Sequence, residues 1–180
     1  MSKRHIILIS ILFALIISVI NTPAKAQEQH SVEKFWYKIG YKSVGEAITE
    51  CEKLFQRGIT LPTRLPSVEF THQFGHCNNN EYSVNDSFEI EYINEHTGTK
   101  HYMIRIRPLE YTIPIKQELT KGVYTLKDKS KAILFHIRES SSLDTLTFER
   151  NGWQYMLIID SRGLDKASSK VLVQIANTIE

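Results

Sequence analysis

The sequence predicts an α+β domain in which a curved antiparallel sheet of about six strands carries two helices on one face. Two segments, one after Ser43 and one at the C-terminal end, repeat apolar residues at helical spacing. Between them lie short runs in which apolar and polar residues alternate, as in strands that are buried on one face. Gly-containing turns, above all Asn151-Gly152, separate these runs at hairpin spacing.

The first helix is predicted over residues 44–57. Ser43 and Glu46 have the S-x-x-E spacing of a capping box, and Gly58 is placed to end the helix. The apolar positions share one face and are Val44, Ala47, Ile48, Cys51, Leu54 and Phe55.

The stretch ITLPTRLPSVEF, residues 59–70, follows this helix. Pro62 and Pro66 exclude a helix and a central strand, because each removes a backbone donor and biases the preceding residue toward extended chain. We interpret the stretch as a fixed joint. The prediction is that Leu61 and Leu65 are mostly buried, that residues 60–66 are not helical, and that the first strand begins at Ser67.

A hairpin is predicted over residues 88–107, around a three-residue loop that ends in Gly98. This loop places Glu89 opposite Arg105, a favourable cross-strand pair. It also puts six apolar residues on the other face, by pairing Phe88 with Ile106, Ile90 with Ile104, and Tyr92 with Tyr102.

The later strands are predicted over residues 123–126 and 132–137, and on both sides of Asn151-Gly152. That turn pairs Phe148 with Tyr155 and Leu146 with Leu157. Residues 153–159 are apolar on both faces, which is typical of a strand in the middle of a sheet. Residues 109–121 are ambiguous, and the chain ends in a helix that Ser168 or Ser169 caps.

The N-terminal 26 residues are predicted to be a secretory signal peptide. Basic residues precede an apolar run at 6–20, and Ala24-Lys25-Ala26 has the small-residue pattern of a cleavage site. An uncleaved membrane anchor is the alternative, and membrane contact is expected only in that case. Residues 27–42 are predicted to be an arm that docks its aromatic rings, and residues 43–180 a single domain.

Charge and composition exclude several classes of function. Removing residues 1–26 leaves 19 basic and 20 acidic side chains, so no surface for a polyanion such as nucleic acid is expected. No cofactor is expected, and no Gly-rich phosphate loop is present in the sequence.

Cys51 and Cys77 are the only cysteines of the chain. In a secreted protein such a pair favours a disulfide, which would join the first helix to the element that carries Cys77. Two reduced, buried thiols are the alternative.

The candidate chemical groups are few. His72 and His76 would lie roughly 13 Å apart on a strand, so they are not expected to share a metal ion. We therefore interpret His72 and His76 as ordinary surface histidines and not as metal ligands. His96 and His101 flank the predicted hairpin turn. Glu89 and Glu91 could in principle act as a carboxylate pair, but the favoured interpretation is a solvated hairpin face neutralised by Arg105 and Arg107.

Two ends of this sequence together resemble a family of Gram-positive extracytoplasmic domains of unknown function. The similarity lies in ITLPTRLPSVEF after a capped helix, and in the ending LTFERNGWQYMLIIDSRGLDKASSKVLVQIANTIE. Such domains occur in outer regions of anti-sigma-factor-like membrane proteins and in secreted proteins, with a layout loosely like lipoprotein-sorting and RseB-like folds. The resemblance implies a fold and an extracytoplasmic setting, and it transfers no catalytic residue.

The function expected from these observations is a non-enzymatic binding or sensing module, secreted or at the cell surface, that contacts an envelope protein or an apolar ligand. One alternative is a carrier of a lipid or other hydrophobic ligand, in a pocket lined by Phe88, Tyr92, Tyr102 and Trp153. The other is a small secreted hydrolase, in which His72 or His76 would cluster with a carboxylate in a cleft.

Overall fold

The structure, a computed structural model, describes residues 32–79, 86–138, 140–164 and 167–180. Trp36–Glu180 forms one compact unit. It is an α+β fold built on one antiparallel sheet of seven strands in the order β1-β2-β3-β7-β6-β5-β4. The predicted class is therefore confirmed, with one strand more than expected.

The strands are β1 (His72–Asn78), β2 (Ser87–Ile93), β3 (His101–Pro108), β4 (Thr120–Thr125), β5 (Lys131–His136), β6 (Leu143–Arg150) and β7 (Trp153–Asp160). The helices of the described residues are α1 (32–38), α2 (Val44–Phe55) and α3 (Ser168–Ala176). Short 3-10 turns occupy Leu109–Tyr111, Gln117–Leu119 and Ser161–Gly163.

Helix α2 begins at the predicted capping box. The Ser43 hydroxyl accepts from the Glu46 amide, and the Glu46 carboxylate accepts from the Ser43 amide. The helix ends earlier than predicted, because Gln56 and not Gly58 adopts the left-handed conformation, with φ 49°.

The Cys51–Cys77 disulfide is present, as predicted, with 5.4 Å between the two Cα atoms. It joins the buried face of α2 to β1. Together with α3, this helix packs on the sheet face that carries Phe88, Leu146 and the alternate residues of the other strands, which we call the helix face. Both long helices therefore lie on one side of the sheet.

The proline stretch is non-helical over residues 60–66, as predicted. It is fixed from the sheet, because Trp153 Nε1 donates to the Gly58 carbonyl at 2.9 Å and the Tyr155 hydroxyl to the Thr60 carbonyl at 3.0 Å. Leu61 is half-buried, but the prediction for Leu65 is wrong, since that side chain is 38% exposed.

The first strand starts at His72 and not at Ser67 as predicted. The reason is its partner, since β2 ends at Ile93 opposite His72 and leaves residues 67–70 without a strand to pair with. Residues 67 and 68 bend instead, and Asn94 Nδ2 donates to the Glu69 carbonyl at 3.1 Å.

The β2–β3 hairpin has the predicted register, with Phe88 opposite Ile106, Tyr92 opposite Tyr102, and Glu89 opposite Arg105. The turn differs from the prediction, because Gly98 has no left-handed φ. Backbone bonds from Thr97 to Asn94 and from Lys100 to Thr97 close it instead.

The β6–β7 hairpin also has the predicted register around Asn151 and Gly152, whose φ angles are 51° and 80°. Strand β7 is buried along its whole length between β3 and β6, which confirms the predicted central strand. The neighbouring strands β4 and β5 begin earlier than predicted, at Thr120 and Lys131.

Helix α3 begins at Ser168, but no serine caps it. The N-cap is Ala167, and the Ser168 hydroxyl donates to the buried carboxylate of Asp144 on β6 instead. Burial alone would raise the pKa of Asp144, but hydrogen bonds from Ser168, Lys121 and His136 hold it below its ordinary value. A hydrogen bond from Ser168 to a charged carboxylate on β6 therefore holds the start of α3 against the sheet.

The N-terminal arm is more regular than predicted. Residues 32–38 are helical, in a segment too short to display a helical period in its sequence. Trp36 stacks on Phe74 with ring centroids 5.3 Å apart, so one ring does dock as expected. The predicted signal peptide, 1–26, and arm residues 27–31 lie outside the described residues.

Gly75 is the point at which α2 and the chain before it meet the sheet. Gly75 exchanges two backbone hydrogen bonds of 2.8 Å with Lys42, and a Cβ on it would lie 2.7 Å from Ala47 Cβ. We expect Gly75→Ala to lower the free energy of unfolding by about 2 kcal/mol, because α2 would have to move away.

The matched control for this substitution is Gly45→Ala, where an added Cβ would meet nothing within 4 Å. We expect that variant to gain about 0.5 kcal/mol from helix propensity. Urea unfolding followed by circular dichroism measures both, and equal stability of the two variants would contradict the close packing at Gly75.

Candidate functional site

The sheet face opposite the helices, which we call the polar face, carries the chemical groups of interest. On β1, β2 and β3 it presents a cluster of charged and aromatic side chains. These are His72, Phe74, His76, Glu89, Glu91, His101, Arg105 and Arg107, which the strand registers place on one side.

Glu89 and Glu91 are buried, with 6% and 4% exposure, so the interpretation of a solvated hairpin face is wrong. Arg105 Nε lies 2.7 Å from a Glu89 oxygen, and Asn78 Nδ2 donates to the same oxygen at 3.1 Å. The Tyr41 hydroxyl donates to Glu89 at 3.4 Å, and burial and the two carboxylates raise the pKa of Tyr41. Glu89 is thus held in a paired, structural role.

Glu91 forms a second close pair, because His101 Nε2 lies 2.5 Å from its Oε2. This hydrogen bond raises the pKa of His101 above its ordinary value of 6.5, although burial acts in the opposite direction. The pair bridges β2 and β3 near the turn of their hairpin.

The histidines do not assemble a metal or hydrolytic site in the described residues. His72 is buried, against the prediction of a surface residue, and its Nδ1 lies 2.8 Å from the Thr71 hydroxyl. His76 is half-buried beside the Tyr41 ring, with centroids 4.8 Å apart. No group of three or more His, Cys, Asp or Glu in this part of the chain is arranged to hold a metal ion.

A serine and a histidine both contact Asp144, but they are not arranged as in a Ser-His-Asp catalytic triad. Ser168 and His136 both bind the carboxylate, with His136 Nε2 at 2.6 Å and Lys121 Nζ at 2.9 Å from the same oxygen. In such a triad the histidine lies between the serine and the aspartate and accepts the serine proton, whereas here the Ser168 hydroxyl donates to the carboxylate and not to His136. This arrangement ties α3 to the sheet.

The four aromatic residues predicted to line a ligand pocket are all in the core of the helix face. Phe88, Tyr92, Tyr102 and Trp153 are each no more than 8% exposed. Tyr92 and Tyr102 stack with centroids 5.6 Å apart, while Trp153 packs against Phe55 elsewhere in the core. Their role in binding stays a prediction.

A groove on the polar face lies at the other end of the sheet, over β5, β6 and β7. A strap formed by residues 112–115 crosses these strands, and the groove beside it has a volume of about 510 Å³. This volume is in the range of small-molecule sites. The groove is lined by Thr112, Ile113, Pro114, Ile115, Ser130, Lys131, Ile133, Thr147, Phe148, Glu149 and Gln154.

The strap is fixed by Gln154, whose amide both accepts from the Ile113 amide at 3.1 Å and donates to its carbonyl at 3.2 Å. Ile113 and Ile115 pack on a second apolar cluster of Phe135, Met156 and Ile158. We did not predict this site from the sequence. The available signals were Ile113-Pro114-Ile115 and the lone Gln154 in an apolar strand.

No model of a known protein family, no curated protein and no solved structure matches the chain. The resemblance to Gram-positive extracytoplasmic domains therefore stays a prediction. Within the described ranges, no helix is long and apolar enough to cross a membrane. The internal disulfide is compatible with an extracytoplasmic protein.

The Glu91–His101 pair predicts a pH dependence of stability. A raised pKa of His101 in the folded chain adds stability that is fully present below pH 6.5 and is lost as the pH rises through the folded pKa. We therefore expect His101→Gln to cost more stability at about pH 5.5 than at about pH 8.5, as measured by urea unfolding at each pH.

His96→Gln is the control, because the side chain of His96 is 53% exposed. We expect its stability to follow that of the unsubstituted chain across this range. A His101→Gln cost that is equal at both pH values would show that the pair does not gain from protonation.

Proposed function

We propose that this chain is a non-enzymatic binding module of the bacterial envelope, secreted or held at the cell surface, and that it binds through the groove on the polar face. The groove is the observation that carries the proposal. It combines an apolar strap, a rim with charged side chains, and a floor formed by β5 and β6, with Gln154 of β7 bonded to the strap. Such a combination is what small ligand sites have in common.

The helix face offers less for binding. Its aromatic and aliphatic side chains are covered by α2 and α3, and the disulfide fixes α2 in place. A ligand on that side would have to displace packed core residues, at a cost of several kcal/mol. The groove requires no such displacement.

Carriage of a hydrophobic ligand is the second candidate, and the apolar side chains of Ile113, Ile115 and Ile133 favour it. It differs from sensing in its consequence, since a carrier must release the ligand and a sensor must pass on the bound state. The hydrolase alternative has no supporting arrangement among the hydrogen bonds of the described residues. His136 and Ser168 share Asp144, and His72 faces Thr71.

Hydrogen exchange of the full chain, with and without a detergent-free extract of bacterial envelopes, tests this function. We expect added protection of amides in the strap and in β5–β7, because a ligand there would limit local opening. The Ile133→Trp variant fills the groove, and we expect it to lose this protection.

The control is Ile137→Trp, at a position that is 46% exposed and lies outside the groove. This variant should retain the protection. Protection confined to α2 and α3, or an equal response of the two tryptophan variants, would overturn binding in the groove.

A further inference from the structure

We infer that the groove takes a zwitterionic amphiphile, that is, a molecule with one apolar chain and a head group that carries one positive and one negative charge. This inference rests on the function proposed above and names the class of ligand. Three features of the groove carry it: its apolar part, a buried hydroxyl, and two opposite charges at the rim.

The apolar part consists of Ile113 and Ile115 on the strap and Ile133 on β5. All three are half-buried, so each still presents apolar surface that a ligand could cover. Covering such surface is favourable in proportion to its area and sets no requirement on the ligand except an apolar chain.

The hydroxyl belongs to Thr147 on β6, which lines the groove and is only 5% exposed. Its Oγ1 has no hydrogen-bond partner among the described residues. Buried polar groups in folded proteins are nearly always paired, and a polar ligand atom that reaches Thr147 would supply the partner that this hydroxyl lacks. An amphiphile satisfies both this hydroxyl and the isoleucines, whereas a plain hydrocarbon satisfies only the isoleucines.

The two charges are those of Lys131 and Glu149. Strands β5 and β6 pair Ile133 with Thr147 and Ala132 with Phe148, so the next antiparallel pair places Lys131 across from Glu149. Both side chains are exposed and both line the groove. A purely anionic head group would meet Glu149, and a purely cationic one would meet Lys131. A head group with both charges can place its negative group beside Lys131 and its positive group beside Glu149.

Isothermal titration calorimetry on the full chain tests the inference with three probes that share a dodecyl-length chain. These are dodecylphosphocholine, dodecanoate and dodecyltrimethylammonium, each kept below its micelle concentration. We expect dodecylphosphocholine to bind at least about three-fold more tightly than either of the others, which is the size of effect that exposed charges give.

Substitutions at the rim should change the preferred head group. Glu149→Gln should improve dodecanoate binding by about three-fold, and Lys131→Gln should do the same for dodecyltrimethylammonium. Thr147→Val, which keeps the side-chain shape, should weaken dodecylphosphocholine by about five-fold. Lys170→Gln, at an exposed position on α3, should leave all three affinities unchanged.

Equal affinities for the three probes, an unchanged order in the two rim variants, or no binding of any probe would overturn this ligand class. If strap protection by envelope extract is then still observed, the binding function stands with another ligand. If that protection is also absent, both proposals fail together.

Discussion

The rest of the structure depends on the burial of β7 on both of its faces. Trp153, Tyr155, Leu157 and Ile159 enter the core under the helices, while the alternate residues form part of the polar face. Because the strand pairs with β3 on one side and β6 on the other, it joins strands β1–β3 and strands β4–β6 into one sheet. One face of β7 therefore belongs to the helix-face core, and the other face contributes Gln154 to the groove.

The same strand also fixes the segments that cross it. On the helix face, Trp153 and Tyr155 hydrogen-bond the backbone that precedes the prolines, which explains why that stretch is a fixed joint. On the polar face, Gln154 holds both backbone groups of Ile113 and so positions the strap. A polar residue in a strand that is otherwise apolar is costly unless it is fully paired, and here the pairing builds a wall of the groove.

Most of the sheet could be predicted from the sequence, because alternation and turn residues are local signals. They were sufficient for the registers of β2 with β3 and of β6 with β7, and for the central place of β7. The burial of Glu89 could not be predicted, because alternation indicates which face a side chain takes and not whether Tyr41 will cover it. The strap could not be predicted either, because its residues show neither helical nor strand periodicity. The hydrogen bonds that fix it come from Gln154, which is 41 positions away in the chain.

We propose that ligand binding takes place on the polar face while the helix face remains a closed core. A crystal structure of the full chain with dodecylphosphocholine measures this most directly. We expect density for an apolar chain between the strap and Ile133, with a head-group oxygen about 3 Å from Thr147 Oγ1. Density between the helices and the sheet, around Tyr92 and Tyr102, would contradict it.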